Sequence, residues 1–84
     1  MEKWSDLPNI GPKLAAELQQ AGIDSPETLR ALGAREAFLR LRAKDPTACL
    51  HRLYALEGAV EGVRKPDLAP DTKQALRDFF RGLP

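Results

Sequence analysis

Leu7-Pro8-Asn9-Ile10-Gly11-Pro12-Lys13-Leu14 is a tight turn that runs directly into a helix, and it sets the grammar of the whole chain. Pro12 suits the first helical position, because its ring presets φ and its missing N–H would be unpaired there anyway. Leu14, Leu18 and Ala21 then form one inner stripe. Gly22 supplies the left-handed ending that lets Ile23 fold back on Leu18. Beyond this helix the same punctuation repeats. Gly and Pro break the chain at short intervals, the apolar period between them is helical, and no segment alternates with period two. An all-α chain without a sheet follows.

The next unit begins at Asp24-Ser25-Pro26-Glu27, where Ser25 caps, Pro26 opens the helix and Glu27 sits at its positive end. Leu29 and Leu32 face inward, and Gly33 stops it. A third helix, about Ala34 to Ala43, buries Ala37, Phe38 and Leu41 and carries Glu36 and Arg40 in the stabilising i,i+4 order. Asp45-Pro46 reads as the cap and start of the longest helix, running to about Val63 with Cys49, Leu53, Leu56, Val60 and Val63 as its stripe. A second row on that helix is small: Ala55, Gly58, Ala59 and Gly62. A glycine inside a helix costs about 1 kcal/mol relative to alanine, so a neighbouring helix is expected to press against that row. Gly62 or the following Arg64-Lys65-Pro66 ends the helix. The last helix starts near Pro70-Asp71, buries Ala75, Leu76 and Phe79, with Phe80 a further candidate beside them, and closes at Gly82. The expected architecture is a compact bundle of about five short helices around a central helix at about residues 46–62.

With 84 residues, 43% apolar and 30% charged, the chain fits a single domain over 1–84 that buries about 60–65% of its unfolded surface. That leaves little room for a deep cleft. No apolar run is long enough to span a membrane, and the opening residues Met1 to Asp6 lack an apolar signal core. The lone cysteine, Cys49, cannot form an internal disulfide, so a cytoplasmic location is expected.

The opening turn is also where the chemistry concentrates. Its backbone N–H groups, around Asn9, Ile10 and Gly11, lie at the positive end of a helix dipole, an arrangement suited to phosphate, and Lys13 adds a mobile charge. The segment resembles the hairpin of helix-hairpin-helix proteins, which hold a nucleic-acid backbone without reading bases. The competing reading is a turn that only joins two packed helices, with Ile10 plugging the core. For that reading count Asn9 where such hairpins usually have glycine, which places a side chain near the phosphate path, a lead-in of about eight residues, and the nearby acids Asp6 and Glu17. The net charge is only +1, so any electrostatic case rests on distribution. Arg30, Arg35, Arg40, Arg42, Lys44 and Arg52 stand against Glu36 and Asp45, six against two, a local +4 that leaves −3 elsewhere. Arg35 and Arg42 are therefore added to the candidate nucleic-acid contacts Asn9, Ile10, Gly11 and Lys13. Lys73, Arg77 and Arg81 form a second basic row. Such rows neutralise phosphates or are merely a solvated helix face. No aromatic residues interleave with them, so single-strand stacking is not indicated. Trp4 reads as packing over the core.

Catalysis finds no constellation. His51 lies two residues from Cys49, which on a helix is roughly 200° around the axis, too far for a Cys–His pair. Cys49 reads instead as an inert core thiol. No metal site is read: one His and one Cys match no zinc spacing, and Glu57 and Glu61 read as a solvated edge. No nucleophile elbow, P-loop or dinucleotide fingerprint is present. No cofactor and no small-molecule substrate are expected, and the chain is read as a non-enzyme.

Taken together, Leu7 to Ala15, Ala21-Gly22-Ile23, Leu29 to Ala34, Cys49-Leu50 and Leu53 to Ala59 resemble the C-terminal domain of TfoX/Sxy-type proteins. The likeness extends over about residues 6–80. It implies a bacterial, cytoplasmic protein acting in gene regulation, in the context of natural competence for DNA uptake. It also implies a fold of about five helices, here as a stand-alone copy of that domain. Two functions remain open at this point: a sequence-independent contact with nucleic acid through the residue 7–13 turn, or a protein-interaction module that docks a regulator or a second copy. Phe80 beside Phe79 favours the second, since two adjacent aromatics are not expected to face one core.

Overall fold

In the computed structural model, which describes residues 2–84, proline opens three of the five α-helices. They are α1 (Pro12–Gln20), α2 (Pro26–Leu32), α3 (Ala34–Lys44), α4 (Leu50–Glu61) and α5 (Pro70–Arg81), with single 3-10 turns at Trp4–Asp6 and Lys65–Asp67. No strand occurs among the described residues. α1 ends as its sequence indicates: Gly22 has φ +84°, and the Ile23 N–H reaches back to Leu18 O at 2.9 Å. This overlap satisfies the last carbonyls and drives Ile23 into the core. The lead-in is indeed a single turn, Trp4–Asp6.

α4 begins later than Asp45-Pro46 suggests. Asp45 Oδ1 accepts from the Thr47 N–H at 3.0 Å and the Thr47 hydroxyl at 2.5 Å, and Oδ2 accepts from Arg52 Nη1 at 2.7 Å. The Ala48 N–H closes on Asp45 O at 3.0 Å. A short acidic side chain has competed with the backbone for the N–H two residues on, making a turn in place of a helical start. The central helix expected at about 46–62 therefore spans Leu50–Glu61, with Cys49 as its N-cap. Cys49 is consequently exposed rather than a core thiol, and Ala48 takes the buried place beside it.

Leu18, Ile23, Leu29, Phe38, Leu53, Leu56 and Leu76 are fully buried; truncating such a leucine to alanine typically costs about 2–5 kcal/mol. α4 packs against α3, α5 and the Lys65–Asp67 turn, while α3 links it to α1 and α2. On α5 only Leu76 is fully inside; Ala75 is exposed, contrary to the periodicity reading. Phe79 and Phe80 both lean on the core with part of each ring left out. Phe80 meets Phe38 edge-on at 5.9 Å between centroids, so the adjacent pair straddles one core after all.

Candidate nucleic-acid interface

Asn9 decides how the opening turn is held. It adopts the left-handed conformation, φ 69°, which asparagine tolerates better than other residues with a side chain. Its amide then points inward, against the exit of α4. Nδ2 donates to Val63 O at 3.0 Å and to Ala55 O at 3.4 Å, and Oδ1 accepts from the Lys65 N–H at 3.1 Å. Within the small residue row of α4, Gly58 makes room for this contact and not for a neighbouring helix. A Cβ on Gly58 would stand 2.4 Å from Asn9 Nδ2 and 2.6 Å from Val63 O. The exit itself is shaped by Gly62 at φ +79° and by the Val63 N–H bonding Gly58 O at 2.8 Å.

Locked this way, the turn presents an open helix start. Gly11 is the N-cap of α1 and makes no side-chain cap bond, and a Cβ built on it would meet nothing within 4 Å. Ala15 is the first α1 residue whose N–H reaches back, to Gly11 O at 2.9 Å, so the N–H groups before it keep the outward direction of any helix N-terminus. Lys13 is exposed and belongs to no salt bridge among the described residues. The two acids near the turn are drawn elsewhere. Asp6 Oδ2 accepts from the Lys3 N–H at 2.9 Å, and Glu17 lies 3.8 Å from Arg52 Nη2.

The six residues singled out from the sequence divide three ways. Gly11 and Lys13 face solvent together. Asn9 and Ile10 lie in the same turn with their side chains inward, Ile10 only 7% exposed, so their outward offering is backbone alone. Arg35 and Arg42 lie with α5: the Arg35 guanidinium sits 5.7 Å from the Phe79 ring centre, and that of Arg42 5.3 Å from Phe80 and 3.3 Å from Pro84 O. Of the second basic row, Lys73 donates to Pro66 O and Arg77 to Tyr54 Oη and Gln74 Oε1.

Glu57 is half-buried and Glu61 is exposed. They line a shallow cleft with Arg35, Asp71, Thr72 and Ala75. The neighbouring Glu61 carboxyl and partial burial push the Glu57 carboxyl up to about 7, with Arg35 opposing. Among the described residues, no three His, Cys, Asp or Glu side chains are placed to hold a metal ion. No helix is long and apolar enough to cross a membrane. What the sequence did not disclose is the neighbour of the turn. Arg64 and Lys65, legible only as a helix stop, are brought beside it by the Lys65–Asn9 bond. No local signal reports a contact across 56 residues.

Comparison with known proteins follows the same outline. A family model described as the TfoX C-terminal domain matches residues 1–80. Protein Sxy of Escherichia coli (strain K12) is 36% identical over 82 residues, which is 98% of this chain and 39% of Sxy. The chain thus spans about two fifths of that relative's length. Two crystal structures of Listeria monocytogenes proteins of unknown function superpose closely. The triclinic form has a TM-score of 0.93 at 44% identity, covering 95% of this chain and 91% of its own. The tetragonal form has a TM-score of 0.94 at 44% identity, covering 98% and 100%.

Proposed function

Because this chain belongs to the TfoX C-terminal domain family, we propose that it is a non-catalytic binding module of bacterial gene regulation, in the competence setting, that contacts the nucleic-acid backbone through the start of α1. The observation that carries this reading is the uncapped, unobstructed Gly11–Lys13 helix start, held rigid from behind by Asn9. Backbone N–H groups at a helix N-terminus and one lysine recognise a phosphate but no base edge, so the contact is independent of sequence.

The test is fluorescence anisotropy with duplex and single-stranded DNA over a series of salt concentrations. Binding is expected to weaken linearly in log K against log salt. Gly11→Val is a clean obstruction: the position has φ −90° and open space before it, so the side chain enters the phosphate path without disturbing packing. Gly11→Val and Lys13→Glu should each weaken binding in folded protein. Absence of binding even at low salt, or indifference to both variants, would overturn the reading.

A second reading, docking of a protein or another copy of the chain, draws on a different face. Leu39 is 39% exposed on α3 and shares one helical stripe with Arg35 and Arg42 by its i+4, i+7 spacing. Sedimentation equilibrium of the wild type and Leu39→Asp addresses self-association; a strict monomer in both removes that form of the reading.

A further inference from the structure

The cations of this chain separate into those already engaged and those left over. Arg30 pairs with Glu2, Arg40 with Glu36, and Arg52 with Asp45 and Glu17. Arg35 and Arg42 lie over aromatic rings, and Lys73 and Arg77 donate to oxygens of the fold. Among the described residues, the side chains of Lys3, Lys13, Lys44, Arg64, Lys65 and Arg81 have no such partner. Two of these six, Arg64 and Lys65, lie in the segment that Asn9 ties to the turn, and a third, Lys13, follows Asn9 by four residues. Asn9, two residues before the α1 cap, accepts the Lys65 N–H, and Arg64 beside it is exposed.

We propose that Arg64 and Lys65 form the second half of the nucleic-acid contact, a cationic edge that continues the backbone path from the start of α1 across the Asn9 lock to the α4 exit. This rests on the nucleic-acid reading above. Two features favour a polyanion over an acidic protein surface here. The site combines the exposed Lys13 and Arg64 and the half-buried Lys65 with backbone N–H groups, the pairing of cations and donors that neutralises phosphates. The turn is also held by hydrogen bonds to the same segment that carries the cations, so the backbones of the two segments stay side by side. Asp67, on the 3-10 turn with Lys65, and Glu61, the last residue of α4, are the acids beside Arg64 and Lys65 in the chain, and their charge opposes a phosphate there.

The experiment is the same anisotropy titration, with a labelled random-sequence duplex, on the variants Arg64→Gln/Lys65→Gln, Lys44→Gln/Arg81→Gln and Asp67→Asn, each checked for an unchanged melting temperature. Glutamine at 65 keeps the N–H that Asn9 uses. Each lost phosphate contact lowers the slope of log K against log salt by about 0.9. The 64/65 double variant should therefore lose about 1.8 units of slope, and its deficit should shrink about tenfold between ~50 and ~200 mM salt. The 44/81 control should keep the wild-type slope, and Asp67→Asn should bind more tightly. If the wild type binds and Lys13→Glu weakens it while the 64/65 variant keeps the full slope, this inference falls and the α1 reading survives. Equal losses in the 64/65 and 44/81 variants also overturn it, since they would indicate diffuse attraction. No binding by the wild type overturns both.

Discussion

Two helix starts in this molecule use the same opening and end up with opposite surfaces. At Ser25-Pro26 the Ser25 hydroxyl accepts from the Thr28 N–H at 3.1 Å and meets the Thr28 hydroxyl at 2.9 Å, while Asp24 Oδ1 accepts from that hydroxyl at 3.1 Å. α2 therefore consumes its own N-terminal polarity. At Gly11-Pro12 nothing caps, and the stabilisation comes from behind, where the Asn9 amide joins the turn to the exit of α4. A self-capped start is a structural device complete in itself. A start braced from the rear leaves its front free for a ligand, and that contrast, more than the presence of a turn, is what makes the α1 end a candidate site.

The contrast breaks most visibly if the brace is removed. Asn9→Ala puts a residue with a Cβ at φ 69°, at roughly 1 kcal/mol, and leaves the Lys65 N–H and Val63 O without their partner, at about 1 kcal/mol or more each. A loss of about 3 kcal/mol is expected in urea unfolding. Asn9→Gly, which accepts the backbone conformation, should recover about 1 kcal/mol of that loss. Next in size is Gly58→Ala. In an exposed helix this exchange would stabilise by about 1 kcal/mol. Here the new methyl group meets Asn9 Nδ2 and the Val63 carbonyl. Displacing backbone and breaking the lock together outweigh the propensity gain, for a net loss of about 2 kcal/mol. A stabilised Gly58→Ala protein would show that Asn9 is not held there.

Those two residues also mark where sequence reasoning reached and where it stopped. The boundaries of α1, α2, α3 and α5 were legible because their signals are local: proline at the first position, glycine at the end, serine as a cap. The TfoX likeness was legible from the order of those blocks. Asn9 was legible as a left-handed residue, but its side chain was expected outward, on the phosphate path. Its actual partners lie 46 to 56 residues away, and no spacing rule reports them. The same reason hid the purpose of Gly58. Asp45-Pro46 failed differently, since its signal was local and ambiguous. An aspartate before proline starts a helix or closes an Asx turn, and Thr47 and Arg52 decide for the turn. Arg35 and Arg42 were read from charge alone, and charge does not reveal that a ring lies underneath.

The self-capped start supplies the matched control. Ser25→Ala removes the α2 cap and should cost about 1 kcal/mol while leaving the DNA affinity and its salt slope at wild-type values. If Ser25→Ala weakened binding as strongly as Lys13→Glu in folded protein, the assignment of the contact to the α1 start and not the α2 start would be wrong.

The smallest effect expected is on the pH dependence of stability, and it separates the two ends of α4. Ahead of α4, the Asp45 carboxyl is held down to about 2 by the Thr47 hydroxyl, Arg52 and the Thr47 N–H. A carboxylate with a depressed folded pKa stabilises above its unfolded pKa, and the benefit is lost as pH falls through the window from about 4 to about 2. Near the exit, Glu57 is raised to about 7 by Glu61 and burial. Its sign is opposite: the folded state favours the protonated form, and stability is lost as pH rises from about 4.5 through about 7. Urea midpoints across this range should therefore decline on both sides of a mildly acidic maximum. Asp45→Asn should flatten the acid limb and Glu57→Gln the upper one. Neither should alter the salt slope of DNA binding, because neither carboxyl faces the braced turn. A Glu57→Gln protein whose slope changed would place the α3–α4–α5 cleft on the binding path and remove the distinction between the two ends of the helix.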